Sequence, residues 1–298
     1  MKRSTQFKKH HWLTAIPTFW LWLLFLLPFL LVLKISLSEA ALSQPPYLDI
    51  FRQIEDGVVT IKINMGNYLL LLDDPLYFNA LIGSIKVAFI STALCILVGY
   101  PMAYAIANSS THWRIPLLML VILPFWTSFL IRVYAWIGIL KNNGLLNNLL
   151  MWLGVIDQPL EILHTQAAVY IGVVYSYLPF FILPLYATLV RLDKALLEAA
   201  ADLGAKPVMQ FLTITLPQSV PGIFAGAMLV FIPVMGEFVI PDLLGGPNTL
   251  MLGKIMWLEF FNNKDWPVAS ALTIVLLVVL IIPFILMQNY ERQVVDDY

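Results

Sequence analysis

The run VAFISTALCILVGYPMAYAIA, residues 87–107, holds twenty-one residues without a single charge. A bilayer core about 30 Å thick is crossed by roughly 20 apolar residues in a helix. It does not alternate polar and apolar residues, as a barrel strand would. Five further stretches read the same way: Leu13–Leu33, Ile115 to about Leu140 with Arg132 inside it, Ala167–Val190, Val220 to about Ile240 with Glu237 inside it, and Val268–Met287. The sequence therefore predicts an all-α integral membrane protein of six transmembrane helices.

Composition points the same way. Of 298 residues 60% are hydrophobic and 12% charged, and mean hydropathy is +0.83; soluble domains carry about a quarter charged residues. A soluble enzyme, a nucleic-acid module and a disordered chain are excluded. The net charge of −1 points to no polyanionic partner. Cys95 is the single cysteine, so no intrachain disulfide can form. Leu13–Leu33 follows a basic front (Lys2, Arg3, Lys8, Lys9) but exceeds the 7–15 apolar residues of a signal peptide, and is read as a retained helix.

Orientation follows from the basic residues. With the N-terminus inside, the cytoplasmic segments hold nine Lys/Arg (2, 3, 8, 9, 114, 191, 194, 206, 292), and the longer outside loops hold six (34, 52, 62, 141, 254, 264). The expected organisation is a cytoplasmic tail 1–12, a six-span domain 13–287 and a cytoplasmic tail 288–298. Within the domain, 34–78 forms an extracytoplasmic cap and 191–219 a cytoplasmic loop. The turn signals Pro45-Pro46, Asp56-Gly57 and Asp73-Asp74-Pro75 punctuate the cap, and Val58–Ile63 reads as a short strand. Lys86 should snorkel to the outer headgroups from the start of the second span. No internal repeat is visible.

The loop 191–219 is structured. Asp193 can cap a helix carrying Leu196, Leu197, Ala200 and Leu203 on one face. Gly204 permits the left-handed turn that ends it. Lys206, before a proline, is biased to extended angles, and Pro207 suits the first turn of a new helix, which runs to Pro217. A plain interfacial connector between two spans would also fit the composition.

The spacing Glu198-Ala199-Ala200, three residues, Gly204, nine residues, Ile214, one residue, Leu216-Pro217 resembles the EAA loop of ABC-importer permeases at every defined position. Further segments resemble polyamine-importer permeases: Asp74–Phe78, Trp126–Trp136, Gly236–Pro241, Leu244–Pro247 and Asp265–Ser270. The likeness is nearest to permeases of putrescine importers, with spermidine-importer permeases matching less well around Gly236–Pro241. The resemblance implies a type I importer permease whose coupling helix docks on an ATPase. Glu198, Ala199, Ala200, Gly204, Ile214, Leu216 and Pro217 would serve that contact. It also implies a second homologous permease, two copies of the ATPase holding ATP and Mg, a periplasmic polyamine-binding protein, and residence in the bacterial inner membrane. This chain itself would bind no cofactor. An ion-coupled secondary carrier is the competing class, in which Glu237 and Arg132 would couple ions and the loop would need no partner.

A polyamine is a flexible di- or trication, so its passage needs carboxylates and aromatic faces. Glu237 lies in a span, where an acid is costly and functional by default. Pro233, Gly236 and Pro241 around it disfavour regular helix. Two roles are open to it, substrate pathway or pairing with Arg132. Arg132 itself would repel a cation and reads as a helix-pairing or interfacial residue. Trp126, Tyr134 and Trp136 can line the pathway or belong to an interfacial belt. Asp242, with Glu259 and Asp265, can receive a cation, contact a partner or be solvated. No G-x-x-x-x-G-K-[ST] loop occurs, and Gly253-Lys254 lacks the upstream glycine. The four histidines (10, 11, 112, 164) show no metal-ligand spacing. The chain is therefore expected not to hydrolyse ATP.

Overall fold

The computed structural model describes residues 11–53, 59–247 and 249–296. The basic residues at 2, 3, 8 and 9, the Asp56-Gly57 turn and Val58 lie outside the described residues. The helices and strands fall in two units. One comprises the first span, the cap and residues 256–278; the other comprises residues 76–255 with the remainder of the last helix.

In the first unit, helix α1 (His11–Leu21) passes through a π turn at Trp22–Leu26 into α2 (Leu27–Ser36). Its side chains face outward along almost their whole length, as a helix solvated by lipid would. The cap carries two short antiparallel hairpins. Strand β1 (Glu39–Ala40) pairs with β2 (Tyr47–Leu48), and β3 (Phe51–Gln53) pairs with β4 (Val59–Ile61). The expected strand is therefore β4, shorter than its sequence suggested and joined by a partner. Lys34 at the end of α2 reaches Asp49 at 2.9 Å, and this hydrogen bond holds the Asp49 carboxyl below its ordinary range. Helix α3 (Gly66–Asp73) closes the cap. Its buried Asn67 donates to the carbonyls of Ser36 and Ser38 at 2.8 and 2.9 Å.

In the second unit, α4 (Pro75–Asn108) has 34 residues, about 51 Å at 1.5 Å per residue. It begins eleven residues before Lys86, so Lys86 sits inside a helix that outruns the hydrocarbon and not at its start. Hydropathy locates the apolar part of a helix. Its hydrogen-bonded start is set here by Pro75, which fits a first turn.

The third span is not the continuous helix expected over Ile115–Leu140. Helix α5 (Thr111–Ile122) tightens into a 3-10 turn at Leu123–Trp126 and stops, and α6 (Phe129–Leu140) and α7 (Leu145–Trp152) follow at 91°. Pro124 withholds a backbone donor, the Thr127 hydroxyl donates to the Pro124 carbonyl at 2.8 Å, and Thr127 and Ser128 are extended. Among the described residues five helices are long and apolar enough to cross a membrane, or six if the bent pair is one span. Buried Asn147 of α7 pins the loop that follows, donating to the Leu160 carbonyl and accepting from its N–H.

Helix α8 (Gln166–Leu189) matches its expected span, with Thr165 as cap. Helix α9 (Lys194–Asp202), the single turn α10 (Pro207–Gln210), a π turn at Phe211–Thr215 and α11 (Leu216–Met235) follow. The helical stretch that carries the expected fifth span thus runs from Pro207 to Met235, beginning before Val220 and stopping short of Ile240. The π turn explains why Pro217 does not break it: widening the helix accommodates a residue without an N–H. Short helices α12 (Val239–Leu244) and α13 (Leu252–Trp257) precede α14 (Trp266–Asp296).

The most extensive helix pairing is α8 with α11. Lipid supplies no hydrophobic drive between helices, so close packing must do it. Gly222 and Gly226, four apart on α11, let it press onto α8. A Cβ on Gly222 would lie 3.2 Å from the Cα of Leu185, and one on Gly226 would lie 2.8 Å from the Phe181 carbonyl. The fully buried Phe181 ring also abuts Gly99 of α4, where a Cβ would meet its Cδ1 at 2.6 Å. Gly226→Ala is therefore expected to force α8 and α11 apart and destabilise the chain by roughly 1–3 kcal/mol. Thermal unfolding in detergent checks this; an unchanged midpoint would contradict it.

Candidate functional site

Two regions carry the candidate residues: the loop between α8 and α11, and the broken segment after α11.

In the loop, the Asp193 carboxylate accepts from Ala195 N–H at 2.9 Å, capping α9 as expected. Gly204 has φ +82. Its N–H donates to the Ala201 carbonyl at 2.8 Å and that of Ala205 donates to Ala200 at 2.9 Å, the paired bonds of a Schellman turn. Lys206 is extended and Pro207 opens α10. Glu198, Ala199 and Ala200 lie on α9, none of whose residues is buried. Leu196, Leu203, Val208, Met209 and Leu212 are exposed beside them, so apolar surface stands ready for another molecule. Ile214 sits in the π turn, and Leu216 and Pro217 begin α11. Sequence reasoning missed what anchors this loop. Phe211 meets the rings of Tyr100 and Tyr104 edge-on at 5.7 Å each, and Tyr100 hydrogen-bonds Ser219 at 3.0 Å. The exposed helix is thus tied through one aromatic wedge to α4.

Glu237 is not inside a span helix. Helix α11 ends at Met235 with Gly236 as cap, and the Glu237 carboxylate turns onto the start of α12. Its Oε1 accepts from the N–H groups of Phe238 (3.1 Å), Val239 (2.9 Å) and Ile240 (3.3 Å). Its Oε2 accepts from the Tyr177 hydroxyl of α8 at 2.5 Å. The residue is 8% exposed. The pairing with Arg132 that the sequence left open is not formed; the carboxylate's partners are backbone donors and a phenol. Helix α12 packs on α8, where Gly172 admits Ile240 and Leu244, and His164 N–H bonds the Leu244 carbonyl at 3.0 Å. Ser84 of α4 accepts from Leu252 N–H at 2.8 Å.

The remaining candidates do not converge on one point. Asp242 forms an ion pair with Lys254 at 3.1 Å. Trp126 and Tyr134 are exposed on either side of the bend. Trp136 meets Tyr175 edge-on at 5.3 Å. Arg132 lies on the first turn of α6, with its guanidinium 4.7 Å from the Phe125 ring centre and 5.7 Å from that of Phe129. Phe125 packs edge-on against Phe180 at 5.2 Å, and Phe180 lies 6.1 Å from Tyr177. A row of rings therefore runs from Arg132 to Glu237. Tyr177, Phe180 and Phe125 were not singled out by sequence; a tyrosine within a span, whose hydroxyl needs a partner, was the available signal.

Among solved structures, the chain superposes on a bacterial ABC transporter involved in import of the acidic polysaccharide alginate. The TM-score is 0.66 over 96% of both chains at 20% identity. The inward-facing MetNI methionine ABC transporter matches with TM-score 0.56 and 16% identity, covering 78% of this chain and 99% of that one. The fold is that of a type I ABC-importer permease, a non-catalytic multi-pass membrane subunit. Residues 96–296 match the family model described as binding-protein-dependent transport system inner membrane component. Relatives include the spermidine/putrescine transport system permease protein PotB of Haemophilus influenzae, 40% identical over 268 residues, 89% of this chain and 88% of that one. PotB of Escherichia coli (strain K12) is 46% identical over 222 residues, 74% and 80% of the two chains. This chain belongs to the family of binding-protein-dependent inner membrane transport components.

Proposed function

We propose that this chain is the permease subunit of an ATP-driven importer of polyamines, with putrescine the preferred cargo. The observation that carries the reading is the 40% identity to a spermidine/putrescine permease along 89% of the chain. The Schellman-turned α9, which buries none of its residues and bears the EAA spacing, supports the ATP-driven part. A spermidine-first importer is the second reading, favoured by the names of those relatives.

In this reading both termini and α9 face the cytoplasm. Helix α9 docks on an ATPase dimer that holds ATP and Mg, a second homologous permease completes the pathway, and a periplasmic binding protein delivers cargo. The solved alginate importer in complex with a substrate-bound periplasmic protein is the related arrangement. Motion of α9 passes through Gly204 and the Phe211 wedge to α4 and α11. ATP drives transport only by favouring one permease state over the other. On the cation route, Glu237 supplies a carboxylate at the helix break, and Trp126 and Tyr134 present open rings. Trp136 has one ring edge engaged by Tyr175. Asp242 already shares its charge with Lys254 and contributes a weaker field.

Uptake of labelled putrescine and spermidine into cells with and without the chain tests the reading. Loss of putrescine uptake, with spermidine affected less, is the expected result. Unchanged uptake of both, with no redundant importer active, would overturn the cargo assignment. Uptake that survived ATP depletion and collapsed with the proton gradient would favour the ion-coupled carrier.

A further inference from the structure

Arg132 makes an unusual set of contacts. Its guanidinium stacks on Phe125 and Phe129, yet Nε and Nη1 are buried without a hydrogen-bond partner. Among the described residues no ion pair involves it. Leaving charged donors unmet is expensive, and the rings repay only part of that cost through their quadrupoles. A structural arginine would be expected to bond a carboxylate or a carbonyl. Here, among the described residues, the charge is met by aromatic faces. At the other end of the ring row stands the Glu237 carboxylate, bonded to Tyr177. Two places that favour a cation, with apolar ring surface between them, match the chemistry of two ammonium groups joined by methylenes.

We propose that the Phe125–Phe129 faces form an alkylammonium-binding site, which Arg132 occupies in this conformation as a tethered stand-in for the cargo. The inference rests on the polyamine reading for its physiological ligand, though not for the site's chemistry. An arriving ammonium displaces the guanidinium, which sits directly after the extended Thr127–Ser128 break and can regain hydrogen bonds as it swings out. The site is thereby closed to stray cations in the resting state and opened by competition.

The test uses the intact importer purified without its binding protein, with labelled butylammonium and putrescine as probes in equilibrium binding. Arg132→Met removes the tethered charge at similar length, and both amines are expected to bind about tenfold tighter than to the unaltered complex. Arg132→Lys keeps a cation over the ring and should show no gain. Adding Phe125→Leu to Arg132→Met should abolish the gain. Size exclusion confirms assembly, and Arg132→Gln replaces the methionine variant if that one fails to assemble. No gain for either amine, or a gain that persists without Phe125, would overturn the proposal. The two readings separate cleanly. Tighter butylammonium binding in an importer that moves no polyamine keeps the site and removes the cargo, and normal polyamine uptake with no gain does the reverse.

Discussion

Gly204→Val is expected to lower ATP-driven uptake tenfold or more while leaving the membrane-embedded helices folded. The backbone at Gly204 has φ +82, and an L-residue in that region costs about 1–2 kcal/mol, more when β-branched. Crowding plays no part, because a Cβ there would meet nothing within 4 Å. The strain is relieved wherever the chain is softest. That place is α9, which has no buried residue to hold it, and not α11, which is packed against α8. The turn opens, the Gly204–Ala201 and Ala205–Ala200 bonds are lost, and the exposed leucines no longer face where α10 aims them. Gly204→Asn, which tolerates left-handed angles, should retain most uptake. Gly154 supplies the control. It has φ +68 and equally open surroundings, but lies in the loop at the other end of α8, hence on the opposite side of the membrane. Gly154→Val should store similar strain without the uptake defect. Normal uptake in Gly204→Val, or an equal loss in Gly154→Val, would overturn the coupling role.

This loop was legible because its punctuation is local. Asp193, Gly204, Lys206 and Pro207 each act within a few residues of chain, and each adopts the conformation its type favours. The spans were legible because hydropathy needs only composition along a window. What escaped was set by contacts between distant residues. Pro116 sits inside α5 without ending it, whereas Pro124 lies where the chain turns through 91°. Both prolines read alike in sequence; only the extended Thr127–Ser128 pair and the packing of α6 against α8 and α12 separate them. Pro217 misled in the opposite direction, because a π turn absorbs it. The acid at 237 stood out in the sequence, yet its partners depend on where α11 stops and α12 starts, and on Tyr177 sixty residues earlier. The glycine pair 222 and 226 had a sequence signature, the four-residue spacing of small residues, but which helix it would press against was set by the tertiary packing.

Variants of Glu237 separate a structural from a functional role, since its carboxylate caps the start of α12 and, on the proposed route, would also meet the cation. Glu237→Ala leaves three N–H groups and a phenol without an acceptor in a site only 8% exposed. Each buried unmet donor costs about 1–3 kcal/mol, so the four together cost roughly 4 kcal/mol or more, enough to disorder α12 and lower the thermal midpoint sharply. Glu237→Gln keeps one carbonyl oxygen, which can face the three N–H groups while its amide meets the Tyr177 hydroxyl. Only the charge-assisted part is lost, about 1–2 kcal/mol, and the complex should assemble. Uptake should nevertheless fall about tenfold, because the cation loses its carboxylate. Tyr177→Phe separates the effects further: it removes the donor to Oε2, leaves the negative charge in place, and should lower stability modestly while sparing transport. Combining Tyr177→Phe with Glu237→Gln in a double-mutant cycle isolates the pair's own energy. If Glu237→Gln assembles and transports normally, the residue is a helix cap and the cation route passes elsewhere. If Glu237→Ala unfolds nothing, the cap is not what holds α12 to the end of α11. The expected pattern, a large stability loss for alanine, a small one for glutamine and a transport loss shared by both, is one that neither a pure cap nor a pure pathway residue can produce.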